Sequence, residues 1–128
     1  MLTFDHLVLE EGSPIYLQIL RYVKQGIAGG TIQHGEELPS RRVVSALLGV
    51  NPNTVQKAYR LLEEEGLIQS HTGAKSCVAA DDAVRARVRG ELLRADAQTM
   101  ISAMKQMGVT REEALALLKT LWEEGESL

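Results

Sequence analysis

The chain has little of what enzymes, membrane proteins and disulfide-built domains depend on. It carries one cysteine, Cys77, in 128 residues, so no disulfide can form within it, and no histidine or second cysteine stands at a zinc-ligand spacing from that thiol. Cys77 is expected to act as a small apolar residue in a strand. The three histidines, His6, His34 and His71, are far apart and include no i, i+4 ligand pair, which sets a metal site aside. No apolar run approaches the roughly 20 residues of a membrane span. The opening "MLTFDHLVLEEG" lacks the basic start and long apolar stretch of a secretory signal. A cytoplasmic protein, away from the membrane, is the expectation. Gly-rich phosphate loops, nucleophile elbows and cofactor lysines are missing too, so neither an enzyme nor a cofactor is expected. Glu63, Glu64 and Glu65 are consecutive, and on a helix they diverge by about 100° per residue, which prevents a catalytic carboxylate pair. They read as a solvated helix end.

Positive charge is also short overall: the formal net charge is −3. That balance opposes nucleic acid as a partner, because a basic stripe is its usual footprint. The distribution changes the argument. From Ser40 to Arg60 the chain holds four cations (Arg41, Arg42, Lys57, Arg60) and no carboxylate.

What is present is a series of well-punctuated helices. In "GVNPNTVQKAYRLLEEEGLIQ", Val55, Ala58, Tyr59 and Leu62 fall at i, i+3, i+4 and i+7, one buried stripe. Asn53, Gln56, Lys57 and Arg60 repeat the same spacing on the opposite face. Asn51 is placed to cap the helix, Pro52 fits its first position, and Gly66 can end it. Helix amino ends attract phosphate, amides can pair with base edges, and Lys and Arg meet phosphates. DNA is the leading partner for this face, against the alternative that it meets only water.

The neighbouring segments supply the context. Ser13 and Pro14 begin a first helix, about Pro14 to Ala28, with Tyr16, Ile19, Leu20, Val23 and Ile27 on one face and Gly29-Gly30 at its end. After a loop that turns at Gly35, Leu38 is placed for a short strand contact. Ser40 caps a short helix from Arg41 to Leu48, and only Gly49, Val50 and Asn51 separate it from the next, the spacing of a helix-turn-helix. "LIQS" and "SCVA" flank "HTGAK", whose Gly73 permits a turn, and read as a β-hairpin. The expected fold is therefore mainly α with a small β-hairpin. Residues 1–80 form a winged helix-turn-helix whose third helix enters the major groove and whose hairpin lies along the backbone. The expected DNA-binding residues are Ser40, Arg41, Arg42, Asn51, Asn53, Thr54, Gln56, Lys57 and Arg60, with His71, Thr72, Gly73 and Lys75 on the wing.

Residues 81–128 follow different rules. A long helix from Ala83 to Met107 shows two apolar faces in succession: Val84, Val88, Leu92 and Ala95, then Leu93, Ala97, Met100, Ile101, Met104 and Met107. Gly90 lies inside this pattern, at a cost of about 1 kcal/mol relative to Ala. Thr110 and Glu113 form a capping box for a final helix striped by Ala114, Leu117, Leu118, Leu121 and Trp122. Two helices bury too little to stand alone. Leu93, Ala97, Met100, Ile101, Met104, Leu117, Leu118, Leu121 and Trp122 are expected to form a homodimer interface, with folding back on the winged domain as the alternative. The methionine run also has the shape of a ligand-pocket lining, although Met more often fills gaps in a core or seam.

The stretch from Pro14 to Val78 closely resembles the N-terminal domain of the GntR family of bacterial transcription regulators. "PIYLQI", "GEELPSRRVVSALLGVNPNTVQKAYRLLEEEGLI" and "HTGAKSCV" carry the resemblance in order and spacing, and "VNPNTVQKAY" with a two-helix tail looks like the YtrA-type branch. The resemblance implies a homodimeric repressor on a palindromic double-stranded operator, often near ABC-type transporter genes. It implies DNA contact by Arg42, by Asn51, Asn53, Thr54 and Gln56, and by the wing-tip Gly73. Many members carry Arg where this chain has Pro52 and Gln56, so the operator need not follow the commoner consensus. The effector-binding and aminotransferase-like domains of larger branches have no counterpart here, and the sequence names no small-molecule effector. A winged helix used only for protein contact is the competing class.

Overall fold

The computed structural model describes residues 1–71 and 75–126. Five helices and one two-stranded antiparallel sheet follow in the order α1 (Ile15–Gly29), α2 (Arg41–Leu48), α3 (Pro52–Glu64), β1 (Ile68–His71), β2 (Lys75–Val78), α4 (Asp82–Gln106) and α5 (Arg111–Glu126). This is the winged helix-turn-helix pattern that the spacing implies. Contacts within the chain group it into two compact units, Met1–Leu92 and Leu93–Leu128, so the first turns of α4 count with the winged unit.

The winged unit is organised around α1 and α3. Ile19, Val23 and Ile27 of α1, four residues apart, are buried, and so are Val55, Ala58, Tyr59 and Leu62 of α3. Val44 of α2, Leu67, Ile68 and Val78 around the sheet, and Val88 of α4 complete this core. The start of α1 differs from expectation. Pro14 occupies the cap position, and its side chain has no oxygen to accept from the helix N–H groups; the Ser13 carbonyl accepts from the Gln18 amide at 2.9 Å. The far end comes one residue later than expected, with Gly30 left-handed at φ 83°.

The turn between α2 and α3 is specified by local chemistry. Ser40 Oγ accepts from the Val43 N–H at 3.2 Å, and Asn51 Oδ1 accepts from the Asn53 N–H at 2.8 Å. Gly49 ends α2 at φ 67°, a conformation that costs a side chain about 1 kcal/mol. The buried Ser45 hydroxyl donates to the Val50 carbonyl and satisfies the turn from inside. In the sheet, Ile68 pairs with Val78 and His71 with Lys75. Leu38 makes the short strand contact expected of it: its N–H donates to the Ser76 carbonyl at 2.8 Å, beside a bridge between Glu37 and Cys77. Cys77 itself is a half-buried strand residue.

The amino-terminal segment is part of the core, although no pattern in the sequence marks it. Leu2 and Phe4 are buried, the Phe4 ring lies 5.4 Å from that of Tyr22, and the Tyr22 hydroxyl donates to the Thr3 carbonyl at 3.0 Å. The Leu2 N–H donates to the Glu37 carbonyl, joining this segment to the loop before α2. Leu2 and Phe4 alternate across an extended segment too short to give a periodic signal.

In the second unit, the Thr110 hydroxyl accepts from the Glu113 N–H and donates to its carboxylate, both at 3.2 Å, so the capping box forms. Gly108, left-handed at φ 73°, ends α4. None of the described residues from Leu93 onward is buried.

Candidate nucleic-acid interface

The amino end of α3 is anchored from below and open above. Val55, Ala58, Tyr59 and Leu62 sink into the core, which leaves Asn53, Gln56, Lys57 and Arg60 exposed on the far side, with Thr54 half-buried between. Ser40, Arg41, Arg42 and Asn51 are exposed at the entry to the helix pair, and His71 and Lys75 are exposed on the hairpin. Thr72 and Gly73, expected at the wing tip, lie outside the described residues.

Contacts divide these residues into two sets. Ser40 and Asn51 spend their oxygens on capping, so each is structural before it meets any ligand. The Arg41 guanidinium stands 5.8 Å from the Tyr59 ring centre and the Lys57 ammonium 4.0 Å from that of Tyr16. Such cation–π contacts hold a charge in place without neutralising it. Arg60 lies 3.9 Å from Glu64 and Lys75 lies 3.4 Å from Glu37, both exposed pairs of the kind worth about 0–1 kcal/mol. They can exchange a carboxylate for a phosphate. The side chains of Arg42, Asn53, Gln56 and His71 have no hydrogen-bond or ion-pair partner among the described residues. These are the groups most available to an incoming ligand.

Tyr59 braces this surface. Its hydroxyl donates to the Pro39 carbonyl at 2.7 Å, fixing the segment that leads into Ser40 and Arg41. Burial pushes the Tyr59 phenol well above its ordinary range, and the nearby Arg41 charge offsets this only in part. The phenol therefore stays protonated and can donate. Beside it, Ser40, Arg41, Tyr59, Lys75 and Ser76 line a cleft of about 310 Å³. Glu63 and Glu64 are exposed as expected, and Glu65 differs in being half-buried and paired: Lys24 of α1 reaches its carboxylate at 2.7 Å and Arg87 donates to its carbonyl at 3.0 Å. His34 does local work, its Nδ1 accepting from the Ala80 N–H at 3.0 Å.

The second unit offers a different surface. Ala97, Met100, Ile101, Met104, Val109 and Leu118 line a predominantly apolar groove of about 590 Å³ between the end of α4 and α5. Leu93, Leu117 and Leu121 are exposed, and Trp122 is 74% exposed with its indole N–H donating to Glu126 at 3.0 Å. Among the described residues no cluster of His, Cys, Asp or Glu is arranged to hold a metal, and no helix is long and apolar enough to cross a membrane.

With this geometry in place, comparisons with known proteins are specific. Residues 15–78 match the model of the family described as bacterial regulatory proteins, gntR family. The chain is 30% identical to the HTH-type transcriptional regulator YhcF of Bacillus subtilis, over 91% of this chain and 96% of that protein. It is 34% identical to the HTH-type transcriptional repressor YtrA of the same organism, over 87% of this chain and 81% of that one. Among solved structures, a GntR family transcriptional regulator from Listeria monocytogenes superposes with a TM-score of 0.80 at 30% identity, covering 88% of this chain and 98% of its own.

Proposed function

We propose, on the premise that the chain belongs to the gntR family of bacterial regulatory proteins and to its YtrA-type branch, that this DNA-binding transcription regulator acts as a homodimeric repressor of a nearby operon through an inverted-repeat operator. The observation that carries the reading is the pair Asn53 and Gln56. Both amides are exposed and, among the described residues, unpartnered at the amino end of a helix whose other face is locked into the core. In a major groove they would read base edges, with Thr54 alongside. Arg42, Arg41, Ser40 and Asn51 would lie against the backbone at the entry to the helix pair, and Lys57 and Arg60 would leave Tyr16 and Glu64 for phosphates. His71, Thr72, Gly73 and Lys75 would follow the backbone from the wing. Phosphate contacts set register and salt dependence, and amide contacts set sequence.

The dimer follows from the reach of one such unit. A single winged domain reads a few base pairs, and specific recognition in a genome needs more, which two-fold symmetry supplies. Residues 81–128 would supply the joint. The apolar groove and the exposed Leu93, Leu117, Leu121 and Trp122 find no cover within their own unit, and the methionines there suit an irregular seam. Repression is supported by the similarity to YtrA, itself a transcriptional repressor, and a cytoplasmic location accords with work on DNA.

A mobility shift with the promoter of the protein's own operon, against unrelated competitor DNA, tests the reading. A competitor-resistant shift with the intact chain, lost in Asn53→Ala, is the expected result. Absence of any shift at low salt and micromolar protein would overturn it and leave the winged helix as a protein-contact module.

A further inference from the structure

The apolar residues of α5 are placed symmetrically about Leu118. At about 100° per residue, Ala114 and Leu115 before it and Leu121 and Trp122 after it all lie within about 60° of its direction. None of the five is buried: Ala114 is half-buried and the other four are exposed. The stripe is symmetric in position and asymmetric in size. Ala114, which has almost no bulk, stands as far before Leu118 as Trp122, the bulkiest and most exposed of the five, stands after it. Charge divides along the same helix. Lys105 and Arg111 line the apolar groove with no carboxylate among its described lining residues, and Arg111 falls on the stripe. Its contact with Glu112 at 4.0 Å is exposed, and Glu113 is committed to the capping box. The far end of α5 carries Glu123, Glu124 and Glu126, the last of which accepts from the Trp122 indole at 3.0 Å.

We infer that α5 of a second copy covers the groove, laid antiparallel to its counterpart across a two-fold axis at Leu118, with Trp122 of each copy entering the groove of the other. The inference rests on the dimer reading above and gives that joint its geometry. A two-fold contact must be self-complementary, because one patch serves both copies. The α5 stripe meets that condition. Laid antiparallel, Leu118 meets its own counterpart, while Leu121 and Trp122 come level with Leu115 and Ala114 of the second copy, so the smallest residue leaves room beside the largest. Ala114 and Leu115 line the groove together with Met100 and Met104 of α4, whose flexible thioethers can close around an indole. The acidic end of each α5 then approaches Lys105 and Arg111 of the other copy. A parallel pair would instead set the terminal carboxylates against their like, crowd Trp122 on Trp122 and leave a gap between the two Ala114 positions.

Sedimentation of the intact chain and its variants tests the contact by exchanging bulk across the axis. Trp122→Ala empties each groove and Ala114→Trp puts two indoles at one level, so each should weaken dimerisation about tenfold or more. The combined Ala114→Trp/Trp122→Ala chain restores one large and one small residue at every level and should recover most of the loss, a coupling that residues apart from each other would not show. Thiol coupling supplies a second readout. In a Cys77→Ser background, which removes the native thiol, Leu118→Cys should be joined to its counterpart by a short bis-maleimide, whereas Thr120→Cys, about 200° around the helix from Leu118, should not. Should Ala114→Trp fail to fold by circular dichroism, the two cysteine variants decide the matter. A wild-type dimer in which the exchange recovers nothing, or in which the cysteine at 120 couples as readily as that at 118, would overturn the antiparallel contact alone and leave the dimer joined elsewhere. A wild-type chain that sediments as a monomer at micromolar concentration would overturn the dimer reading and this inference together.

Discussion

Replacing Asn53 with alanine isolates base reading from everything else the third helix does. The side chain is exposed and partnerless among the described residues, while the cap of α3 uses the Asn53 backbone N–H, which alanine retains. Alanine is also the better helix former by several tenths of a kcal/mol. Fold stability should therefore be unchanged or slightly higher in urea unfolding. A bidentate amide–adenine contact discriminates by about 1–3 kcal/mol, or roughly 5- to 150-fold in affinity, and the loss should fall at one base position in each half-site. Arg42→Ala is the necessary contrast. Its guanidinium is equally exposed and partnerless, but a phosphate contact should weaken all sequences alike and reduce the salt slope by about 1. Binding isotherms at several salt concentrations, on the operator and on single-base variants, separate the two signatures. If Asn53→Ala changes neither affinity nor base preference, the docking of α3 in the major groove is wrong.

Four other perturbations follow from the same contacts. Phe4→Ala should destabilise the winged unit by about 3–5 kcal/mol in urea unfolding, since it empties a buried ring site beside Tyr22. Tyr59→Phe leaves the Pro39 carbonyl without its buried donor and should cost about 1–3 kcal/mol. It should also alter the alkaline limb of stability: the folded-state phenol titrates above its unfolded value, so Tyr59 supports the fold below about pH 10 and loses that contribution as pH rises further, a fall that Tyr59→Phe should reduce. Leu118→Asp should yield a monomer in sedimentation with the winged unit still folded, because an unpaired carboxylate would enter the apolar groove on dimerisation. Gly30→Ala should lower the unfolding midpoint, because Gly30 is left-handed at φ 83°, a conformation that a side chain adopts only with strain; an unchanged midpoint would refute that conformation at the end of α1.

The features legible in the sequence are those whose partners lie within a turn or two along the chain. The stripe Val55, Ala58, Tyr59, Leu62, the caps at Ser40 and Asn51, the glycine stops and the capping box at Thr110 all express i, i+2 to i+4 geometry, which a linear pattern records directly. The open amide face of α3 follows from the same periodicity. The sequence therefore determined the helix-turn-helix, the wing and the face most suited to DNA. Tertiary structure alone decided what holds that face in place. Leu2 and Phe4 join the core through a segment with no period, Lys57 leans on Tyr16, and Lys24 and Arg87 reach Glu65 across 41 and 22 residues of chain. Arg85 meets Ala28 across 57. Such pairs depend on where helices cross, and a charged residue looks equally solvated in sequence whether or not a distant helix end lies within its reach.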